Sequence, residues 1–499
     1  MGMLICALFP IVALIWLASH ARRDLPPSGA ESVESRVVQR RTRMPTGRTA
    51  VSRRQAVAAG VAAMTALATG CSTPAAIPPP KTVDDFDWQN FSGESLSLLM
   101  SEHPVSIAVR EHLPEFEELT GISVSLETLS ETDYMVKLLT ELQSGAGSYD
   151  AFMSSQPMNF QYAGAGWIED LLPWVEDDTK TSPKWDFEDF YPALIESLRW
   201  DQTEYEGAGQ GGLWAIPANE EGYALFYRKD VLEEAGIAVP GTIEELIAAA
   251  SQVHGTVVDG TEMNGFVSRG DKTYPTLNPC STFFLAHGAT DIVDGQAAVN
   301  SPESVAALEQ WVELMQYAPL SASTYTWYEA QQDFISGNAV FYLDADHMAP
   351  DFEKSPIDGK VGYALPPEGP RGRGSSMWVW SLGMNGASRH KDAAWQFIQW
   401  ATSKEFLTAA IDSGNMNPTR ISVAEGEAMT AATADWGDYN EVWQEILAEY
   451  ARWAYTPASR FPEIGDAWAV RIQSAVLGQQ SPQEAMDEAA EKINAIIAD

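Results

Sequence analysis

The sequence predicts an α/β fold with a mainly parallel sheet flanked by helices, and two stretches carry that expectation. In the first, residues 95–100 and 122–126 read as strands, the second alternating Ile122, Val124 and Leu126. Residues 105–119 between them have helical spacing and end at Gly121. Strand, helix and strand in that order form a βαβ unit, which closes a parallel pair. In the second, residues 224–227 (Ala-Leu-Phe-Tyr) form a short buried-strand run before two helices. Asp230 with Glu233 has the spacing of a capping box, Gly236 ends that helix, and Thr242 with Glu245 starts the next.

The remaining elements follow the same logic. Residues 132–143 place Tyr134, Leu138, Leu139 and Leu142 on one helical face, and 149–153 read as a third strand. Residues 174–212 are loop-rich with one helix at 191–198, and 260–279 read as irregular. Ser301-Pro302 starts a helix with Val305, Leu308, Trp311, Val312 and Met315 on one face. A helix at 327–335 is closed by Gly337. Strands are expected at 339–343, 360–365 and 378–384, then a helix at 390–402 and a terminal helix capped by Ser481.

Composition narrows the function class. The 499 residues are 45% hydrophobic and 10% aromatic, with 17 Trp, which suits an ordered globular chain with a sizeable core. Net charge is −38, and nine Arg against three acidic residues in the first 70 make the rest more acidic still. So acidic a surface argues against nucleic acid as a partner. The three cysteines, Cys6, Cys71 and Cys280, support neither a disulfide framework nor a cysteine zinc site. Cys280 reads as a small buried apolar residue.

Residues 1–71 read as an export region. An apolar run at 3–18 is short for a membrane span. It is followed by Ser52-Arg-Arg, a small-residue apolar stretch at 58–67, and Ala68-Thr-Gly-Cys71. This second signal resembles a twin-arginine lipoprotein signal with Cys71 as the lipidated residue, although Ala68 stands where Leu is more usual. Two signals in series suggest translation from near Met44; the alternative is a membrane anchor at 3–18. Residues 72–89, with Pro74, Pro78, Pro79 and Pro80, read as a tether.

A longer pattern runs through the second stretch: P-x-x-x-E-x-x-x-L-x-Y-R-K-D-x-L-x-x-A-G-I-x-x-P-x-T-x-x-E-L, from Pro217 to Leu246. It resembles the extracellular solute-binding proteins of bacterial ABC importers, specifically the large sugar-binding, maltose-binding-protein-like family. F-x-x-x-T-G-I-x-V from Phe116, Y-D-A-F from Tyr149, A-G-x-G-W-I-x-D-L from Ala163 and A-A-W-x-F-I-x-W-A-T-S-K-E from Ala393 resemble it in the same order. The resemblance covers about residues 93–499. It implies a two-lobed periplasmic-binding-protein-like fold with a multi-segment hinge. The crossings are expected near 219–223, 361–365 and 412–417, the N-lobe at 90–220 with 363–412, and the C-lobe at 221–362 with 413–499. It further implies a monomer at the outer face of the cytoplasmic membrane that binds a sugar or polyol between the lobes and delivers it to permease subunits. Neither a cofactor nor catalysis is implied.

Sugars and polyols need planar hydrogen-bonding side chains and aromatic faces. Glu221 matches the family's hinge glutamate, with Asn219 beside it. Glu102, His103, Ser155 and Gln156 follow strands, at the carboxyl ends where open α/β sheets bind ligands. Trp327 and Trp378 are stacking candidates, and Trp468 resembles a C-lobe stacking aromatic of the family. Asp344 and Asp346 follow a strand; with His347 they suggest a metal, but no second cluster stands at ligand spacing. Each has a plainer reading as a core residue, a cap or a solvated loop. Two other functions stay open: a secreted glycoside hydrolase using two acids, and an ion-binding protein on the same fold. No H-E-x-x-H, nucleophile-elbow or P-loop pattern supports either.

Overall fold

The computed structural model describes residues 86–499. The twin-arginine signal, Cys71 and most of the tether lie outside the described residues. Nine strands form the main sheet: β1 (Ser95–Ser101), β2 (Ser123–Leu129), β3 (Ala151–Ser154), β4 (Ile216–Arg228), β5 (Asn264–Val267), β6 (Ala339–Ala345), β7 (Val361–Ala364), β8 (Ser375–Met384) and β9 (Ala451–Arg452). The path runs β2-β1-β3-β8-β4-β6-β5, with β7 paired to β4 and β9 to β8. The pairings β1–β2, β1–β3, β6–β5 and β8–β9 are parallel. At the centre, β8 and β4 pair antiparallel with each other, β8 also with β3, and β4 also with β6 and β7. These two long strands enter from the loops rather than from a crossover helix, so nothing in their connections requires parallel pairing.

Helix α1 (Pro104–Thr120) connects β1 to β2 and stops at Gly121, whose φ of 72° is the left-handed cap the sequence predicts. Helix α2 (Glu131–Ser144) follows β2, and α3 (Gln156–Gly164) follows β3. The two expected helices after β4 form as α4 (Lys229–Ala235) and α5 (Ile243–Val253), the latter with its Thr242–Glu245 capping box. The Asp230 cap does not form. Its carboxylate instead takes the Arg228 guanidinium through bonds of 2.8 and 2.6 Å, a stronger charge-assisted partner than a backbone N–H.

The larger difference is β4 itself. The sequence marks only residues 224–227 as strand and leaves the segment before it open; residues 216–223 are strand throughout and wholly buried. Alternating side chains of Asn219, Glu220 and Glu221 therefore point to opposite sheet faces. One hydrophobic core covers β1–β3 and continues under β4 to Phe226, Phe334 and Phe352. A second packs Leu225, Phe266, Phe341 and Leu343 against α5, α6 (Leu277–His287), α7 (Pro302–Met315), α9 (Phe461–Val476) and α10 (Pro482–Ala498) through residues such as Trp311 and Met486; α8 (Trp327–Ile335) packs on the first core through Ala330 and Phe334. Cys280 is buried there as a free thiol. Among the described residues no helix is long and apolar enough to cross a membrane.

Candidate functional site

The carboxyl ends of β1, β2, β5 and β6 converge on one cavity of about 330 Å³. His103 leaves β1 as the N-cap of α1, Glu131 opens α2 after β2, Arg269 follows β5 and His347 follows β6. Glu221 projects from the middle of β4, opposite Trp378 of β8. Trp378 and Trp380, two apart on β8, share that face; their rings sit 5.8 Å apart at 68°. Trp327 stands at the first turn of α8, where its Nε1–H donates to Glu131 Oε2 at 3.2 Å.

The polar atoms are set by their supports. Glu221 Oε1 accepts the Trp380 Nε1–H at 2.9 Å. His103 Nε2 lies 3.9 Å from the same oxygen and His347 Nδ1 3.6 Å from it, too far for good hydrogen bonds. Both ring nitrogens are buried and make no hydrogen bond. Burial pushes the Glu221 carboxyl up to about 7, with Arg269 opposing and Asp344 adding to the rise. Burial likewise lowers His347 to about 4, and burial with help from His347 lowers His103 well below its usual range. Both imidazoles are therefore neutral at pH 7. Arg269 is buried and held by Asp344 through contacts of 2.5 to 3.0 Å, so its charge is largely answered from behind the cavity.

His103, Glu221 and His347 offer one atom each within 4.8 Å of one another, a grouping the sequence did not suggest. The donor set does not suit a metal. His103 Nδ1 accepts the Val105 backbone N–H at 3.2 Å, which puts the ring proton on Nε2. An Nε2 that carries a proton donates; it cannot ligate. The arrangement instead offers an N–H donor and a carboxylate acceptor 3.9 Å apart. A hydroxyl between them accepts from the first and donates to the second, with indole faces beside it for C–H groups.

Of the sequence candidates, the structure brings Glu102, His103, Glu221, Trp327 and Trp378 to this cavity. Glu102 is the outermost, its side chain 52% exposed and paired with Arg110 at 3.1 Å. The other six lie elsewhere. Ser155 is buried at the start of α3 and its hydroxyl has no partner. Gln156 accepts the Val379 N–H at 2.9 Å, tying α3 to β8. Asn219 is not in the cavity lining; it is buried and donates to Asn415 Oδ1 at 2.7 Å. Asp344 lies behind Arg269. Asp346 accepts from Gly222 N–H at 3.1 Å and from Asn417 at 2.8 Å. A Cβ at Gly222 would stand 2.6 Å from Asp346 Oδ2, so only glycine admits this approach. Trp468 is core, 5.0 Å from Phe284. Trp468→Phe should cost about 1 kcal/mol of stability and leave ligand affinity unchanged; calorimetric titration of the variant checks both, and a lost ligand response would return Trp468 to the site.

Glu131, Arg269, Trp380 and His347 also line the cavity, and none of them is among the ligand-binding candidates from the sequence. Three of these four directly follow strands. Reading residues 260–279 as irregular hid β5 and, with it, Arg269.

Behind the cavity, Glu220 is buried on the opposite face of β4. Its Oε1 accepts from Trp443 Nε1–H and from Asn417 at 3.1 Å, while Oε2 has no partner. Burial pushes it from the ordinary 4.5 to about 7, partly offset by those two donors, with Glu221 adding to the rise. The folded state thus holds a proton that the unfolded chain releases above pH 4.5, so this group's contribution falls as pH rises towards 7. Glu220→Gln keeps both hydrogen bonds and removes the titration. The variant should be more stable than the parent at pH 8 by about 3 kcal/mol, and close to it below pH 5. Melting curves at pH 8 and below pH 5 test this; a variant destabilised equally at both would contradict it.

With the geometry defined, comparison with known proteins gives the family. The sequence profile described as bacterial extracellular solute-binding protein matches residues 104–406. The erythritol/L-threitol-binding protein of Mycolicibacterium smegmatis is 34% identical over 79% of this chain and 84% of its own. This chain is a member of the bacterial extracellular solute-binding protein family. Among solved structures, an ABC transporter solute-binding protein from Agrobacterium radiobacter K84 in complex with ribitol superimposes with a TM-score of 0.71, at 25% identity, covering 81% of this chain and 99% of that one. The maltose-bound MalE3 of T. maritima, at 22% identity and a TM-score of 0.68, covers 81% and 99% and shares the fold. The solute-binding protein thus has the two-lobed α/β architecture of these relatives.

Proposed function

We propose that this solute-binding protein captures a short, neutral acyclic polyol in the Glu221 cavity and delivers it to the permease of an ABC importer, without breaking a bond. The observation that carries the reading is the donor–acceptor set: His103 Nε2 and His347 Nδ1, both without a hydrogen bond, and the Glu221 carboxyl face one small cavity beside Trp378 and Trp380. A chain of vicinal hydroxyls satisfies such a set, whereas an anionic ligand would meet the Glu221 and Glu131 carboxyls. The erythritol/L-threitol-binding and ribitol-bound relatives support the same class. β4 pairs with β8 through its first half and with β6 and β7 through its second, which supports its role as one crossing between lobes that close on the ligand. Residues 361–365 and 412–417 are the other two crossings. Lipidation at Cys71 holds the monomeric chain at the outer face of the membrane.

A thermal-shift screen of the mature chain with tetritols, pentitols, hexitols, maltose and divalent metals tests the reading. Short alditols are expected to raise the midpoint most, since a ligand selective for the folded state stabilises it by mass action. A shift with metals alone, or turnover of a glycoside, would overturn it.

A further inference from the structure

A second cavity of about 580 Å³ adjoins the site, with Arg452, Trp453, Tyr455 and Asp291 on its wall. Asn278 and Tyr455, in contact with each other, stand between the two. Asn278 lines the Glu221 cavity, and its Oδ1 lies 3.3 Å from the hydroxyl of Tyr455, which lines the other. The Tyr455 ring is buried between Trp453 at 5.0 Å and Phe461 at 5.1 Å. Phe461 continues to Tyr274 at 6.0 Å, and Tyr274 stacks on Trp378 at 6.2 Å and 25°. The rings thus run without a break from one cavity to the other. The segment that carries Tyr455 is pinned on both sides: Ala451 and Arg452 pair with Ser375 and Ser376 of β8, and Thr456 bonds Asp291 through its N–H at 2.8 Å and its hydroxyl at 2.6 Å. A partition so braced does not swing aside at little cost.

We infer that Tyr455, backed by Trp453 and Phe461, is the specificity-determining wall that limits this protein to ligands no longer than a single short polyol. The inference rests on the polyol reading. A glycosyl-extended alditol carries the same hydroxyl chain at one end, but its sugar ring would have to occupy the place of the Tyr455 ring to reach the second cavity. Shortening that side chain joins the two spaces, and the longer ligand then lies across both.

Calorimetric titrations of the full chain and of Tyr455→Ala with erythritol, ribitol, maltitol and maltose test this. The parent should bind a short alditol and neither disaccharide probe; the variant should gain at least about tenfold for maltitol, the scale on which one pocket group discriminates. Tyr455→Leu keeps an apolar filling and decides the matter if the alanine variant fails to fold; it should gain about threefold. Maltitol binding to the parent as tightly as a short alditol, or no gain in a folded variant, would overturn the partition. Absence of short-alditol binding by the parent would sink the polyol reading, while the gain with either disaccharide probe would still judge the wall.

Discussion

Glu221→Ala should weaken short-alditol binding by about 100-fold while leaving the chain folded. Glu221 is the acceptor around which the cavity is arranged: Trp380 already donates to it, and His103 Nε2 and His347 Nδ1 stand 3.9 and 3.6 Å away. A buried hydrogen bond to a charged group contributes about 1.5–3 kcal/mol, and loss of one or two such bonds to ligand hydroxyls gives the stated factor. The same residue sets the pH dependence. The groups that face it are His103, His347, Arg269, Asp344 and Glu131, and the balance of burial and charge holds it at about 7. Ligand hydroxyls donate to the carboxylate and so favour its charged form. Binding therefore releases a proton, and affinity should rise with pH up to about 7 and level off above it. Titrations from pH 5.5 to 8.5 measure this; Glu221→Gln should flatten the profile. An alanine variant with parental affinity would remove Glu221 from the site.

Asp344→Ala should be the most destabilising single change near the site, at about 3–5 kcal/mol. Asp344 is fully buried and takes three contacts from the Arg269 guanidinium. Removing the carboxylate leaves Arg269 buried, with the Pro275 carbonyl at 3.3 Å as its remaining hydrogen-bond acceptor. The cost comes from the uncompensated charge rather than from the intrinsic worth of the pair. Removing both ends, in Arg269→Met with Asp344→Ala, should recover a large part of the loss. Denaturant melts of the two single variants and the double variant form the cycle that separates these terms. A single Asp344→Ala variant within about 1 kcal/mol of the parent would refute this account.

Local chemistry in the sequence was enough for much of the fold. The βαβ unit at β1–α1–β2, the capping boxes at Thr242 and Ser481, and the left-handed stops at Gly121 and Gly236 depend on neighbours within a few residues. The Asp230 cap failed because Arg228, two residues away, is a better partner for the carboxylate in the packed state. Local chemistry left the 216–223 segment undecided, because charged residues rarely occupy a buried central strand. What makes this possible is remote: Asn417 and Trp443 answer Glu220, and Trp380 answers Glu221.

The site divides in the same way. Residues after strands were legible by position, because the carboxyl ends of parallel strands open towards a ligand whatever the sequence between them; His103 and Glu102 follow from that rule. Trp378 follows from period-two alternation. Asp344, Asp346, Asn219 and Trp468 carry the right chemistry at plausible positions, yet they support the site or the core. By itself the sequence determined the α/β class and the family pattern, and the resemblance named Glu221 as a candidate. Only the tertiary structure decided which side chains meet it. His103, Glu221 and His347 are separated by more than 100 residues in each interval, and their convergence on one oxygen is set by strand order and register, which no local spacing encodes.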